Sequence, residues 1–475
     1  MIYNTCVASS FGTRHLLTLL LMMTIIPAPR LLAGMGQLNT ARAAAAAGEL
    51  ATAVTAYTKA AKRLPWYCPV LGETGQVYWL NRQPGEAVYW FSRGEYCRGL
   101  TLDQWLAYGD ALASLGEQVS ASRAWKAALI QHGPAPEALS RLAMAARQAG
   151  DHSGAIHLYE QALELSPEDA EAHYQMALIL VAIDPASALS ELMQVSRLDP
   201  GREADMLVFR TELNRAFLSA DPSYQYTLAG RVLASFNEWD LAAEAFRRAI
   251  THNNQFAEAW AWLGEAKQMT GGDGRPAMEK ALALGPPSAG VHGLDGLVWM
   301  QMGAPEKALL AYGKAAGLEP GNAIWQISMG EAACAAGDLQ TALQYYYQAV
   351  ELAPDDPGTW RALAVFSLDN EIDVAHTGLA AAQELFLLAP DDWETHLLAG
   401  RVSMMLGARL EARTHLMKAI DLAPFEPAPQ YYLGLSFLES RMYTLAYDKF
   451  MDVINLDPTG TYGWQAQRLL EEYFP

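Results

Sequence analysis

The feature that most constrains this chain is a period. Ala53, Ala87, Ala121 and Ala155 stand 34 residues apart, and Tyr57, Phe91, Trp125 and Tyr159 keep the same step four residues later. In the second half Ala308 and Ala342, Tyr312 and Tyr346, and Ala412 and Ala446 repeat it. Prolines punctuate the pattern: Pro286, Pro320, Pro354, Pro390, Pro424 and Pro458 are separated by 34, 34, 36, 34 and 34 residues. Three residue types held in one register define a repeated supersecondary unit. A length of 475 residues alone would suggest several globular domains. The period replaces them with a stack of small units, each of which buries its apolar faces only against its neighbours.

One unit, Ala323 to Asp356, shows the local physics. Ile324, Ile327 and the Gly330–Ala333 stretch recur on a helical period, and Ala336-Gly337-Asp338 supplies a turn. A second helical run follows, with Leu339, Ala342, Leu343, Tyr346, Ala349 and Val350 spaced by three or four, and Pro354 ends it. Gly330 and Ala342 fall where two antiparallel helices cross, so small side chains permit close approach. Tyr346 fills the wider gap beyond.

The pattern resembles the tetratricopeptide repeat (TPR) family. Trp260-Ala261-Trp262-Leu263-Gly264 matches the family's aromatic and Leu-Gly signature, and Tyr432-Leu433-Gly434, Ala446, Phe450 and Pro458 match it again. The resemblance implies an all-α fold, a right-handed α-solenoid (superhelix) of about twelve helix-turn-helix repeats closed by a C-terminal capping helix. In this frame residues 34–202 form a block of five repeats, 203–222 an extra inserted helix, 223–460 a block of seven repeats, and 461–475 the cap. Met206, Phe209, Leu213 and Phe217 give the inserted helix one apolar face, and Trp464, Gln467, Leu469 and Leu470 continue the cap. Repeat arrays need such polar-faced ends for solubility. The array leaves no room for an appended catalytic domain.

Residues 1–33 read as a signal peptide or N-terminal membrane anchor. Arg14 and His15 precede an apolar run from Leu16 to Ile26, which Pro27 and Pro29 interrupt. The run is shorter than a spanning helix needs and matches a signal core. The cleavage site is poor, so a cleaved signal, an uncleaved anchor and a mis-assigned start all stay open. The first two place the chain outside the cytoplasm, whether secreted, periplasmic or anchored facing outward. Cys68 opens the first helix of its unit and Cys97 closes the second, and antiparallel helices bring those ends together. A Cys68–Cys97 disulfide is therefore the first reading, with free buried thiols and a metal site as alternatives. Closing a loop of about 30 residues contributes about 3.5 kcal/mol in the chain-entropy treatment. Cys334 reads as a small buried hydrophobe.

Composition excludes other classes. A chain that is 51% hydrophobic is not disordered. Its net charge of −19 argues against nucleic acid as a partner. Residues 1–135 carry a balance of +4 and residues 136–475 one of −23. The motifs of catalysis are missing from the sequence: no His-Glu-x-x-His, no Cys-x-x-Cys, no phosphate loop and no nucleophile elbow. Gly271-Gly272-Asp273-Gly274 reads as a turn, and Asp355-Asp356 and Asp391-Asp392 as starts of helices. We expect no enzyme, no cofactor, no metal and no small-molecule substrate.

The resemblance implies that the first helix of each unit lines a concave groove for a peptide or helix. The positions it nominates are Trp79 and Tyr174 in the first block, and Leu297, Met300, Ile327, Leu397, Met404, Met405, Tyr431 and Leu435 in the second. These make an apolar, Met-rich trough, although many of them would equally serve to pack one repeat on the next. The family's carboxylate clamp is not matched: at the corresponding places stand Leu38, Asn39, Arg42, Gly72, Glu73 and Gln76, so its lysines are missing and Glu73 would repel a carboxylate. The expected function is a non-catalytic scaffold for protein or peptide partners in an extracytoplasmic or envelope assembly. The alternative is a regulatory or substrate-recruiting subunit of a separate enzyme such as a glycosyltransferase.

Overall fold

A computed structural model describes residues 28–97 and 99–474. The described residues form α-helices joined by short turns, with no strand among them. Contacts divide the chain into two compact units, with the boundary between Ser219 and Ala220. In the first unit five antiparallel hairpins follow one another: Ala28–Ala46 with Leu50–Arg63, Cys68–Leu80 with Pro84–Tyr96, Leu102–Ser114 with Gln118–His132, Pro136–Gln148 with His152–Leu165, and Ala170–Ile183 with Pro185–Leu198. The helix Glu203–Ala216 comes after them. It buries Met206, Phe209, Leu213 and Ala216. Phe217, assigned to that face from sequence, is only its cap residue, because the helix ends one residue earlier.

The second unit contains seven hairpins. They begin with Pro222–Ser235 and Trp239–His252, end with Pro427–Glu439 and Tyr443–Leu456, and are followed by Thr461–Tyr473. That last helix buries Gly463 and Ala466. Trp464 is 63% exposed, so the apolar face expected there is rotated. Small residues at 463 and 466 are what let the helix settle onto the preceding hairpin: a Cβ on Gly463 would fall 1.7 Å from the Asp457 carbonyl oxygen.

The repeat positions behave as the period requires. Ala53, Ala87, Ala121, Ala155, Ala308, Ala342, Ala412 and Ala446 are all fully buried, and Phe91, Tyr159, Tyr312 and Phe450 are nearly so. Hairpins cross at a glycine on the first helix facing a large residue sixteen positions later on the second. A Cβ on Gly75 would meet Phe91 at 2.6 Å, on Gly230 Phe246 at 2.4 Å, on Gly296 Tyr312 at 2.3 Å, and on Gly434 Phe450 at 2.7 Å. The close crossing is thus bought with absent side chains, and the ring that fills the gap sits beyond it.

Turns inside the units follow the same register. The residue closing the first helix is left-handed at Gly116 (φ 81°) and Gly337 (φ 84°), where glycine carries no steric penalty. Arg82, Asn237 and Arg441 occupy the equivalent place with φ of 56–61°. Acids cap the next helix: Asp356 accepts from the Gly358 N–H at 2.8 Å and Asp392 from the Thr395 N–H at 3.1 Å. Asp355-Asp356 and Asp391-Asp392 thus stand at helix starts, as read from the sequence.

Two units of the second block are irregular. At Gly271–Gly274 the second helix shortens to Arg275–Ala283. The reason is backbone contact, since a Cβ on Gly274 would fall 2.1 Å from the Gly264 carbonyl oxygen. At 371–378 the two added residues are absorbed by left-handed Glu371 and Asp373 and by a π-helical turn, Val374–Gly378, leading into Leu379–Leu388.

Candidate interaction surface

Four successive first helices of the second unit share one cleft. Arg231 comes from Pro222–Ser235, Glu258 and Trp262 from Ala257–Met269, Gly290, Gly293, Leu294 and Leu297 from Ala289–Gln301, and Ile324, Trp325 and Ser328 from Ala323–Ala335. The cavity is about 320 Å³. Its walls are two indoles held in place from behind. Trp262 stacks on Phe246 at 5.9 Å, and the Arg231 guanidinium lies 5.4 Å from the Trp262 ring. The Trp325 Nε1–H donates to Glu319 Oε2 at 2.9 Å, and a bond from Asn322, with this one beside it, holds the Glu319 carboxyl below its usual range.

Between the indoles the floor is glycine. A Cβ on Gly293 would strike the Trp325 ring at 2.4 Å, so glycine there lets the indole lie flat on the helix. At Gly290 the nearest atom is the Ser288 Oγ, at 3.7 Å, and the backbone is open to the cleft. Leu297 and Ile324 are exposed apolar side chains at its edge. An aromatic-walled slot with accessible backbone and one charge of each sign at the rim suits an extended or helical peptide segment.

Of the ten groove positions nominated from sequence, Leu297 lies in this cleft. Met405 is exposed but stands apart from it. The other eight lie outside it. Leu397 is 8% exposed and belongs to a core with Leu416 and Leu433. Met300, Ile327, Met404, Tyr431 and Leu435 pack half-buried against the clusters that join neighbouring helices, and Trp79 does so in the first unit. Tyr174 is covered by the Arg202 guanidinium, 4.2 Å from its ring. The reason is geometric. A first helix touches its own second helix and the following repeat as well as the open face, and most of its apolar residues belong to the two contact stripes.

Polar residues on the first helices, with Arg202 from the turn Pro200–Arg202 and Asp392 from the cap of Trp393–Met405, pair from one repeat to the next. Arg42 meets Glu73 at 2.6 Å, Arg141 meets Asp110 at 2.7 Å, and Arg202 meets Glu171 at 2.8 Å, each 31 residues apart. Arg361–Asp392 and Arg401–Asp369 continue the arrangement in the second unit. The 31-residue offset is one period less one helical turn, which is the shift needed to reach the facing side chain on the next first helix. Opposite charges 31 residues apart are visible in the sequence at Arg42/Glu73, Asp110/Arg141, Glu171/Arg202 and Arg361/Asp392.

Cys68 and Cys97 are free thiols in this structure; Cys68 Sγ donates to the Trp66 carbonyl oxygen at 3.7 Å, and the neighbouring Cys68, together with burial, pushes the Cys97 thiol up. Cys334 is half-buried and its thiol donates to Asn370 Oδ1 at 3.6 Å. Glu265 is buried on a first helix, with Oε1 accepting from Gln301 Nε2 at 2.5 Å and Oε2 unpartnered; desolvation pushes its carboxyl up. Among the described residues no three metal-ligating side chains converge. Among them, too, no helix is long and apolar enough to cross a membrane. The apolar run Leu16–Ile26 lies outside the described residues.

Comparison with known proteins agrees with the geometry. A family model described as TPR repeat matches residues 144–184, and one described as tetratricopeptide repeat matches 227–266 and 296–357. The chain is 24% identical over 163 residues to protein FlbA of Caulobacter vibrioides, and 24% identical over 213 residues to anaphase-promoting complex subunit 3 of Schizosaccharomyces pombe. These alignments take in 34% and 44% of this chain, and the chain spans 27% of the length of either relative. Among solved structures, the APC/C hetero-tetramer Cut9–Hcn1 aligns at 15% identity over 87% of this chain and 98% of that one, with a TM-score of 0.38. MamA 41-end from Desulfovibrio magneticus RS-1 aligns at 21% identity over 36% of this chain and 96% of that one, with a TM-score of 0.32. With the family's signature matched in both units and its helical hairpins in place, the chain is a tetratricopeptide-repeat protein.

Proposed function

We propose that this protein is a non-catalytic scaffold that holds a segment of a partner protein along the first helices of its second unit. The observation that carries the reading is the Trp262–Trp325 cleft with its Gly290–Gly293 floor. A photo-cross-linking residue placed at Leu297 tests it, with a control at Leu310, which is more exposed (70% against 42%) but lies on a second helix, Pro305–Leu318. Partner peptides should be captured at 297 and not at 310, and capture should fall when Trp262→Ala removes one wall. Equal capture at both positions would sink the proposal.

The setting we propose is extracytoplasmic. Its support is the basic and apolar N-terminal pattern, Arg14 to Ile26, and the adjacency of Cys68 and Cys97, which a compartment that forms disulfides would exploit. Protease accessibility in intact cells, with N-terminal sequencing of the mature chain, checks it. A protein protected until the cytoplasm is opened, with its first residues retained and no membrane association, is the contrary result.

A further inference from the structure

A second cavity of about 610 Å³ lies elsewhere in the second unit, on different elements. Leu379, Ala382, Phe386 and Leu387 from Leu379–Leu388, with Ala399 and Val402 from Trp393–Met405, give it apolar walls. Gln383, Glu384, Ser403, Glu411 and His415 supply its polar groups. No lysine or arginine lines it.

The polarity of its imidazole follows from the hydrogen bonds. His396 is buried, and its Nε2 lies 3.0 Å from the Pro390 carbonyl oxygen, which can only accept. In neutral His396, Nε2 therefore carries the proton and Nδ1 is an acceptor. His415 Nδ1 lies 3.1 Å from that nitrogen and so must donate. With both rings neutral, His415 holds its proton on Nδ1, and its Nε2, on the far side of the ring from His396, is an unprotonated acceptor on a residue that lines the cavity. Phe386 stands edge-on to both rings, 5.4 and 5.9 Å away, and clamps the pair. Burial, reinforced by His396, holds His415 below its ordinary range against the opposing influence of Glu411.

The cavity thus presents an apolar shaft, a fixed hydrogen-bond acceptor and two exposed carboxylates, Glu384 and Glu411, in the part of the chain with a charge balance of −23. We propose that it is a second binding site that takes the cationic end of a lysine or arginine side chain carried on an apolar partner segment. The ammonium donates to His415 Nε2, the methylenes lie along Phe386, Leu387 and Val402, and the two glutamates supply charge complementarity. Acidification removes the acceptor: a proton on His415 Nε2 makes it a donor and adds a positive charge, with Glu411 on the same helix, Glu384 opposite and His396 behind as the titratable groups that face it.

The test uses the full chain labelled with ¹⁵N at histidine, titrated with n-hexylamine, n-hexanol and hexanoate at neutral pH. Hexylammonium should move the His415 Nε2 resonance saturably, hexanol should bind at least several-fold more weakly, and hexanoate should not compete. Glu384→Gln and Glu411→Gln, both at exposed positions, should each weaken hexylammonium by about two- to five-fold, and Glu411→Gln should in addition lower the His415 titration. Binding should fall as His415 titrates. Equal affinity for hexanol, preference for hexanoate, or a His415 resonance unmoved by any of the three overturns the proposal. The Trp262–Trp325 cleft shares no residue with this site, so either can fail alone.

Discussion

Replacing Gly296 by alanine tests the packing rule on which the array depends. The new Cβ would stand 2.3 Å from Tyr312 Cε1 and 2.6 Å from Cδ1 and Cζ. Attractive carbon contacts begin at about 3.5–4.0 Å, so the ring or the helix must give way by more than 1 Å. Tyr312 is 2% exposed and packs with Ala308 and Ala332, which leaves it no free volume to retreat into. Overpacking of this kind costs about 1–3 kcal/mol, against which alanine regains about 1 kcal/mol of helix propensity. Gly313→Ala is the matched control: it sits next to Tyr312 in mid-helix, and its Cβ would meet only Met329 Cε at an ordinary 3.9 Å. The control should stabilise by about 0.5–1 kcal/mol, and Gly296→Ala should lie below it by about 1–3 kcal/mol. Repeat arrays can unfold piecemeal, so the suitable readout is amide hydrogen exchange within 289–318, where each kcal/mol changes protection by about five-fold. Adding Tyr312→Leu should recover part of the Gly296→Ala loss, with a coupling of about 0.5–3 kcal/mol. If Gly296→Ala protects as well as Gly313→Ala, or if the double variant is simply additive, the glycine is not there to admit the ring.

Three further outcomes follow from the same geometry. Burial raises the Glu265 carboxyl, so in the wild type this group's contribution to stability is fullest below the unfolded pKa and is lost as pH rises through the folded one; Glu265→Gln should therefore gain on wild type in thermal melts as pH goes from 4 to 8, and a pH-independent difference would refute the assignment. Under oxidised glutathione, Cys68 and Cys97 should pass from two alkylatable thiols to none with a mass loss of two hydrogens, and the bridged protein should gain up to about 3.5 kcal/mol; two thiols still modified after oxidation would count against the bridge. Arg141→Ala, which unpairs Asp110 at a part-exposed position, should cost no more than about 1 kcal/mol, and that cost should shrink in high salt; a loss unchanged by salt would mean that Arg141 acts through packing.

The array was legible in the sequence because its physics is periodic. A buried alanine, a filling aromatic and a terminating proline recur wherever two helices must cross, and any of those residues can be found by counting. The interaction surface is not periodic. Trp325 faces the cleft because Gly293 lies beneath it and Glu319 holds its nitrogen, and neither partner recurs as such 34 residues away. Leu397 and Leu297 are both leucines of first helices, the fifth residue of Trp393–Met405 and the ninth of Ala289–Gln301, one turn apart in the repeat frame, yet one is core and the other lines the cleft. What separates them is which stripe of the first helix meets the next repeat, and that depends on neighbours that single-helix periodicity does not contain. The histidine pair is harder still, since His396 and His415 are nineteen residues apart and become one site only through the Pro390 carbonyl that orients the first. A repeat therefore announces its scaffold by what it keeps. Its sites arise where units depart from the pattern: a ring over a glycine at 293, or a second helix shortened by a π-helical turn at 374–378 just before the cavity that His415 lines.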